Sequence, residues 1–168
     1  MSGALIVTAE LAAADFAWLD GLRRRHYPAE RNRVPAHLTI FHALPPSAEG
    51  ELRSRLAALT GEPAPRAVAA GVMDLGGGVA FRIVSDELDW FRERLADDLH
   101  GLLGAQDSRG WRPHVTVQNK VAPRTARQLK AELERGFQPR PLQIAGIGLH
   151  RYREGEWETL AVYRFRGR

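Results

Sequence analysis

The chain has 168 residues, of which 44% are hydrophobic and 26% charged, a composition typical of a globular protein. This length predicts a single domain spanning residues 1–168. There is no cysteine, which excludes a disulfide framework, a thiol nucleophile and a cysteine-based metal site. The net charge is only +4, with acidic and basic residues mixed, so a small anion-binding cleft is favoured over a surface for duplex DNA.

The sequence has no feature that directs a protein into or across a membrane. No apolar run approaches the roughly 18 residues that a membrane span requires. The N-terminus also lacks the basic and apolar regions of a signal peptide. We therefore expect a cytoplasmic protein with no membrane partner, and a core of this size predicts a monomer.

Hydrophobic periodicity and turn residues predict alternating strands and helices in the first half of the chain. In chain order these are a strand at 4–10, a helix ended by Pro28, a strand at 37–44, a helix over 52–59, and strands at 66–75 and 79–84. Three glycines, 76–78, join the last two strands. We interpret them as a hairpin turn because a phosphate-binding loop would need a Lys-Ser or Lys-Thr pair followed by a helix.

The second half of the chain repeats this order. It contains a helix, a strand at 113–120, a helix that Pro123 begins, and strands at 141–152 and 157–166. The first of these helices has an apolar stripe at helical spacing, formed by Leu88, Phe91, Leu95, Leu99 and Leu102. The repeat predicts a bilobal α/β (α+β) fold, with two antiparallel sheets facing each other across a central cleft and helices packed outside.

The most informative feature is a pair of tetrads, His37-Leu38-Thr39-Ile40 and His114-Val115-Thr116-Val117. Residues two apart in a strand lie on one face, so each strand presents one histidine and one threonine on the same side. The apolar residues between them point to the side that the helices should cover. One histidine and one threonine from each lobe are therefore expected to converge on the cleft.

This set of side chains suits a phosphodiester. A neutral imidazole can accept the proton of the attacking water or hydroxyl, while a protonated one donates a proton to the leaving oxygen. Two threonine hydroxyls can donate hydrogen bonds to the non-bridging oxygens. Such chemistry requires no metal and no cofactor. A zinc site at His37 and His114 is disfavoured because no third ligand has suitable spacing.

The two tetrads, 114 − 37 = 77 residues apart, resemble those of the 2H phosphoesterase superfamily, and especially its 2′-5′ RNA ligase-like branch. Their contexts, VPAHLTIFHALP and WRPHVTVQNK, are similar to those of the family. The resemblance implies a duplicated bilobal fold and metal-independent chemistry on 2′,3′-cyclic or 2′-5′-linked nucleotides. It also implies that the catalytic residues are His37, Thr39, His114 and Thr116.

Three further residues are candidates for substrate binding. Lys120 follows the second tetrad where many members of the branch carry an arginine, and it could contact a phosphate as a point charge. Strand alternation places Gln118 and Lys120 on the face of His114. By the same alternation Phe41 shares the face of His37, where it could stack on a base or pack at the lobe interface.

The sequence leaves three functions open. The first is hydrolysis of 2′,3′-cyclic phosphate or 2′-5′ phosphodiester bonds of nucleotides or RNA ends. The second is RNA ligation, the reverse reaction at the same site, in which a 5′-hydroxyl attacks the cyclic phosphate. The third is binding of a nucleotide or RNA without turnover. The near symmetry of the tetrads leaves open which histidine is the acid and which is the base.

Overall fold

The computed structural model describes residues 3–168 as a mixture of strands and helices in the predicted order. The strands and α-helices are β1 (Leu5–Leu11), α1 (Ala13–His26), β2 (Leu38–Leu44), α2 (Glu49–Leu59), β3 (Arg66–Asp74), β4 (Val79–Val84), α3 (Asp86–Asp98), β5 (His114–Gln118), α4 (Pro123–Glu134), β6 (Arg140–Arg153) and β7 (Glu156–Arg164). Short 3-10 turns at Ala29–Arg31 and Pro46–Ala48 precede β2 and α2. The seven predicted strands are therefore all found, close to their predicted positions.

All strand pairs are antiparallel, and the strand order is β1-β2-β5-β4-β3-β6-β7, with a further pairing of β1 with β6. Strand β6 has 14 residues. Its first residues are paired with β3, and its later residues are paired with β1 and β7. The predicted α/β fold with antiparallel strands is confirmed. Two separate sheets facing each other are not observed, because β6 runs through both halves and β2 meets β5, which joins all seven strands into one sheet.

Apolar side chains from the strands and helices form one core. Helix α1 packs against β5, while α3 and α4 pack against β3. The apolar residues of the two tetrads are fully buried in this core: Leu38, Ile40, Val115 and Val117. The predicted division of each tetrad into a core side and an open side is therefore present. Among residues 3–168, no helix is both long and apolar enough to cross a membrane.

The three glycines join β3 to β4 in a hairpin, as interpreted from the sequence. Gly76 has a φ of 84°, a conformation that glycine adopts without strain. The amide of Leu75 donates a hydrogen bond to the carbonyl oxygen of Gly78 over 2.9 Å. A Cβ atom on Gly78 would collide with the carbonyl oxygen of Gln118. Glycine at this position therefore lets the turn pack tightly against the end of β5.

Candidate active site

The pairing of β2 with β5 brings the two tetrads together. Leu38 lies opposite Val115 in an antiparallel pair, and this register places His37 beside Thr116 and Thr39 beside His114. Opposite residues of such a pair have Cβ atoms roughly 5 Å apart, and diagonal residues roughly 7–8 Å apart. The two histidines therefore lie on one diagonal and the two threonines on the other. A single phosphate group can reach all four side chains.

The same backbone contact orients both histidines. Nδ1 of His37 donates a hydrogen bond to the carbonyl oxygen of Pro35 over 2.8 Å, and Nδ1 of His114 donates to that of Arg112, also over 2.8 Å. Because a carbonyl oxygen only accepts, Nδ1 carries the proton in both rings. Nε2 is then the atom that can accept or donate a proton in each ring.

The surroundings of His37 keep it neutral. Burial lowers the pKa of this histidine to about 4, although its hydrogen bond to Pro35 acts in the opposite direction. Electrostatic interactions with three neighbours add to the lowering: Arg23, His150 and His114. At neutral pH the His37 ring therefore has a free lone pair on Nε2.

A buried polar cluster packs behind His37. His150 is only 7% exposed, and its two ring nitrogens are hydrogen-bonded to the hydroxyl groups of Thr8 and Thr159, at 2.9 and 3.0 Å. The indole of Trp157 packs against both imidazoles, with ring centroids 4.7 Å from His37 and 5.4 Å from His150. Burial lowers the pKa of His150. The cluster also includes Glu10, whose Oε1 lies 3.9 Å from Nε2 of His150, and it shields one side of His37 from water.

Arg23 supports the second tetrad from within helix α1. It is buried, and it donates hydrogen bonds to the carbonyl oxygen of Thr116 over 3.1 Å and to Oδ1 of Asn32 over 2.8 Å. Its guanidinium also lies 4.3 Å from the ring centroid of Tyr27. The sequence does not single out Arg23, because it lies in a run of three arginines. It lies four residues after the buried Leu19, and this spacing places both residues on the same, inward face of the helix.

Asp107 anchors the loop between α3 and β5 to strand β2. Its buried carboxylate accepts hydrogen bonds from the backbone amides of His42 and Ala43, over 2.7 and 2.9 Å, and from the His42 ring over 3.2 Å. Burial alone would raise the pKa of Asp107, but these hydrogen bonds outweigh it and lower the pKa. No local pattern marks this residue in the sequence, since its partners lie more than sixty residues earlier.

Trp111 links the same loop to the first tetrad. Its indole Nε1 donates a hydrogen bond to the carbonyl oxygen of Thr39 over 3.1 Å. Replacing Trp111 by phenylalanine is expected to lower the free energy of unfolding by about 1 kcal/mol, because one hydrogen bond is lost. We also expect kcat to fall more than KM rises, since Thr39 would be held less precisely. Urea denaturation and steady-state kinetics measure the two effects.

The matched control for this change is Trp90→Phe, because the Trp90 side chain is 47% exposed. It should leave both the free energy of unfolding and kcat nearly unchanged. If Trp111→Phe behaves like Trp90→Phe, the hydrogen bond to Thr39 does not position the tetrad.

Phe41 does not lie on the open face with His37, and the prediction of base stacking is corrected here. Thr39 pairs with Thr8 but Phe41 pairs with Val7, so a β-bulge at Ile40 interrupts the alternation. Phe41 consequently turns into the core, where it is 0% exposed. The Phe41 ring has no free face on which a base could stack. Its role is therefore packing, the other possibility that the sequence offered.

Strand β5 ends at Gln118, which changes the position of the two other candidates. Gln118 is 3% exposed, and its Oε1 has no hydrogen-bond partner among residues 3–168. Lys120 is exposed and adopts a φ of 64° in the turn that follows. Alternation therefore does not extend to Lys120, and its predicted place on the face of His114 is not supported by the backbone. Roles for both residues in substrate binding stay predictions.

The sequence of this chain matches the 2′-5′ RNA ligase superfamily over residues 10–156. The chain belongs to this superfamily. The resemblance drawn from the two tetrads is thereby confirmed. Membership in the 2′-5′ RNA ligase superfamily supports an enzyme with phosphoesterase or ligase chemistry. Comparison with curated protein sequences gives no significant match.

Solved structures similar to this member of the 2′-5′ RNA ligase superfamily share its fold over almost the whole chain. TT0787 of Thermus thermophilus is 19% identical, with 98% of each chain covered and a TM-score of 0.69. A crystal structure described as a phosphoesterase is 18% identical, with 98% and 99% coverage and a TM-score of 0.61. E. coli LigT complexed with NADP+ is 19% identical, with 99% of each chain covered and a TM-score of 0.57. At such identities the comparison establishes the fold.

Proposed function

We propose that this protein hydrolyses 2′,3′-cyclic phosphate or 2′-5′ phosphodiester bonds of nucleotides or RNA ends by two-histidine acid–base catalysis. The observation that carries the proposal is the paired placement of His37 and His114, each with Nδ1 held by a backbone carbonyl. Both Nε2 atoms are left for proton transfer. The crystal structure of E. coli LigT complexed with 3′-AMP supports a nucleotide as the ligand of this fold.

The lowered pKa of His37 supports a role for this residue as the base, which leaves the role of acid to His114. Neutral His37 accepts a proton from water through Nε2, while the water oxygen bonds to phosphorus and the bond from phosphorus to a ribose oxygen breaks. His114, at the other end of the same diagonal, donates an Nε2 proton to the departing ribose oxygen. Thr39 and Thr116 donate hydrogen bonds to the non-bridging oxygens as negative charge grows there. Exchange with solvent then restores both histidines.

The pH dependence of kcat/KM tests this assignment. The active form contains neutral His37, so the acid limb of the profile, where activity falls as the pH drops, should lie at about 4, well below the ordinary imidazole pKa. The measurement is kcat/KM for a 2′,3′-cyclic nucleotide between about pH 3.5 and 8, while circular dichroism follows the fold. NMR titration of the histidine ring protons, in the wild type and in His37→Ala, identifies the group. An acid limb near 6.5 that belongs to His37 would overturn its lowered pKa, and an alkaline limb that belongs to His37 would refute its role as the base.

RNA ligation is the second candidate, because the matched superfamily is described by that activity. A 5′-hydroxyl would take the place of water, and His37 would accept the hydroxyl proton. The experiment supplies an RNA with a 2′,3′-cyclic phosphate end together with an RNA carrying a 5′-hydroxyl. A 2′-5′-joined product would favour ligation, and release of a linear phosphate end alone would favour hydrolysis.

A further inference from the structure

A cavity of about 220 Å³ adjoins the tetrads on the side of Thr39 and His114. Three arginines contribute to its wall: Arg92 from helix α3, and Arg109 and Arg112 from the loop before β5. We call this cavity the arginine pocket. It shares Thr39 and His114 with the proposed reaction site, so a ligand could occupy the two at once.

The arginine pocket has an excess of positive charge. Its lining contains no acidic side chain among residues 3–168. The nearby Asp107 carboxylate is buried and accepts hydrogen bonds from His42 and Ala43. Within the same described residues, no carboxylate oxygen lies within 4.0 Å of the guanidinium groups of Arg92, Arg109 or Arg112. Concave positive surfaces concentrate anions, and guanidinium groups match the oxygens of a phosphate.

Arg92 is held firmly in the wall of the arginine pocket. It donates hydrogen bonds to the carbonyl oxygens of Ile40, over 3.1 Å, and Asp107, over 2.8 Å. Its guanidinium lies 4.7 Å from the ring centroid of Phe41. Arg109 and Arg112 are exposed on the anchored loop. Arg92, fixed in this way, loses little entropy when the pocket binds an anion.

The size of the arginine pocket limits what it can hold. Pockets for whole small molecules begin at about 300 Å³, so about 220 Å³ suits a fragment such as a phosphate group. The anion nearest to a terminal 2′,3′-cyclic phosphate in a nucleic acid is the phosphate on the 5′ side of the same nucleotide. We propose, resting on the proposed function, that the arginine pocket binds this second phosphate, so that nucleotide ends carrying one are better substrates than simple cyclic nucleosides.

The second phosphate could be an internucleotide diester or a free 5′-phosphate, and a set of substrates distinguishes them. We would measure kcat/KM for adenosine 2′,3′-cyclic phosphate, its 5′-phosphorylated form, and the dinucleotide adenylyl-adenosine with a terminal 2′,3′-cyclic phosphate. For the two forms with a second phosphate, kcat/KM should be about tenfold higher than for adenosine 2′,3′-cyclic phosphate. This is the effect of about one charge-assisted hydrogen bond. Raising the salt concentration should reduce this preference. Gain with the dinucleotide alone would identify the diester as the ligand.

The variant Arg109→Gln tests the pocket itself, because Arg109 lines the pocket and, among residues 3–168, does not make a hydrogen bond to either histidine. It should reduce the preference for two phosphates while changing kcat/KM for the simple cyclic nucleoside by less than about twofold. The matched control is Arg124→Gln, which alters an exposed arginine of α4 outside the pocket. If kcat/KM falls equally for every substrate, or falls for none of them, the inference is overturned.

A binding measurement separates this inference from the proposed function. Calorimetry with adenosine 2′-phosphate and adenosine 2′,5′-bisphosphate gives the affinity for one and for two phosphates without any turnover. Tighter binding of the bisphosphate, reduced in Arg109→Gln, supports the pocket even if no cyclic substrate is hydrolysed. If the wild type hydrolyses cyclic nucleotides but shows no preference for two phosphates in either assay, the proposed function stands and the pocket assignment fails.

Discussion

Replacing His37 or His114 by alanine is expected to lower kcat/KM for a 2′,3′-cyclic nucleotide by about 10²- to 10⁴-fold, the usual contribution of a general acid or base. Each substitution removes one of the two Nε2 atoms that the backbone contacts at Pro35 and Arg112 hold in place. The measurement is initial-rate kinetics, with the fold of each variant checked by circular dichroism. Activity should persist with a chelator present, since the mechanism uses no metal.

The control for both variants is His100→Ala, because His100 is exposed and lies in the turn after α3, outside the site. It should retain wild-type kinetics. Full activity in either His37→Ala or His114→Ala would eliminate the two-histidine mechanism. Nucleotide binding without any turnover by the wild type would instead favour a binding module.

A phosphodiester with a 4-nitrophenolate leaving group separates the acid from the base, because this leaving group needs no proton. His114→Ala should recover much of its activity with this substrate, whereas His37→Ala should remain impaired. Recovery in His37→Ala alone would reverse the two assignments. Equal impairment of both variants would show that the proton to the leaving oxygen does not come from His114.

Replacing Asp107 by alanine is expected to lower the free energy of unfolding by about 3 kcal/mol. The substitution leaves the backbone amides of His42 and Ala43 without the charged acceptor that they use, and hydrogen bonds to charged groups contribute about 1.5–3 kcal/mol each. Asp107→Asn keeps one acceptor oxygen, so its free energy of unfolding should fall by about half as much. Urea denaturation at neutral pH measures both changes.

The contribution of Asp107 should also depend on pH in a defined direction. Its pKa is lower in the folded protein than in the unfolded chain, so its stabilisation is present above the unfolded pKa of about 3.9. It is lost as the pH falls through the lower folded value. The difference in stability between the wild type and Asp107→Ala should therefore shrink in acid.

Asp97→Ala serves as the control for Asp107, since Asp97 is exposed on α3. Its effect on the free energy of unfolding should stay within about 0.5 kcal/mol. A loss in Asp107→Ala no larger than in Asp97→Ala would show that Asp107 does not anchor the loop to β2.

Local pattern was enough to predict the elements and the two tetrads. Alternation in the strands and the helical stripe of α3 depend on residues within one or two turns of each other, so they can be read without knowing the fold. The prediction for Phe41 failed where alternation itself failed, at the bulge beside Thr39. The position of Lys120 was misjudged for a related reason, because its left-handed backbone follows the end of the strand.

By itself, the sequence determined the family resemblance and indicated a class of chemistry. The chain has no cysteine, and two of its six histidines stand in matching tetrads, which pointed to paired proton transfer by imidazoles. The tertiary structure decided what surrounds those imidazoles. Trp157 and His150 reach His37 only because β6 and β7 pair, and the loop that carries Arg109 closes the arginine pocket only because Asp107 binds β2. Burial and long-range contacts therefore lower the pKa of His37, which its tetrad alone does not predict, since a pKa depends on the desolvation and charges around a group.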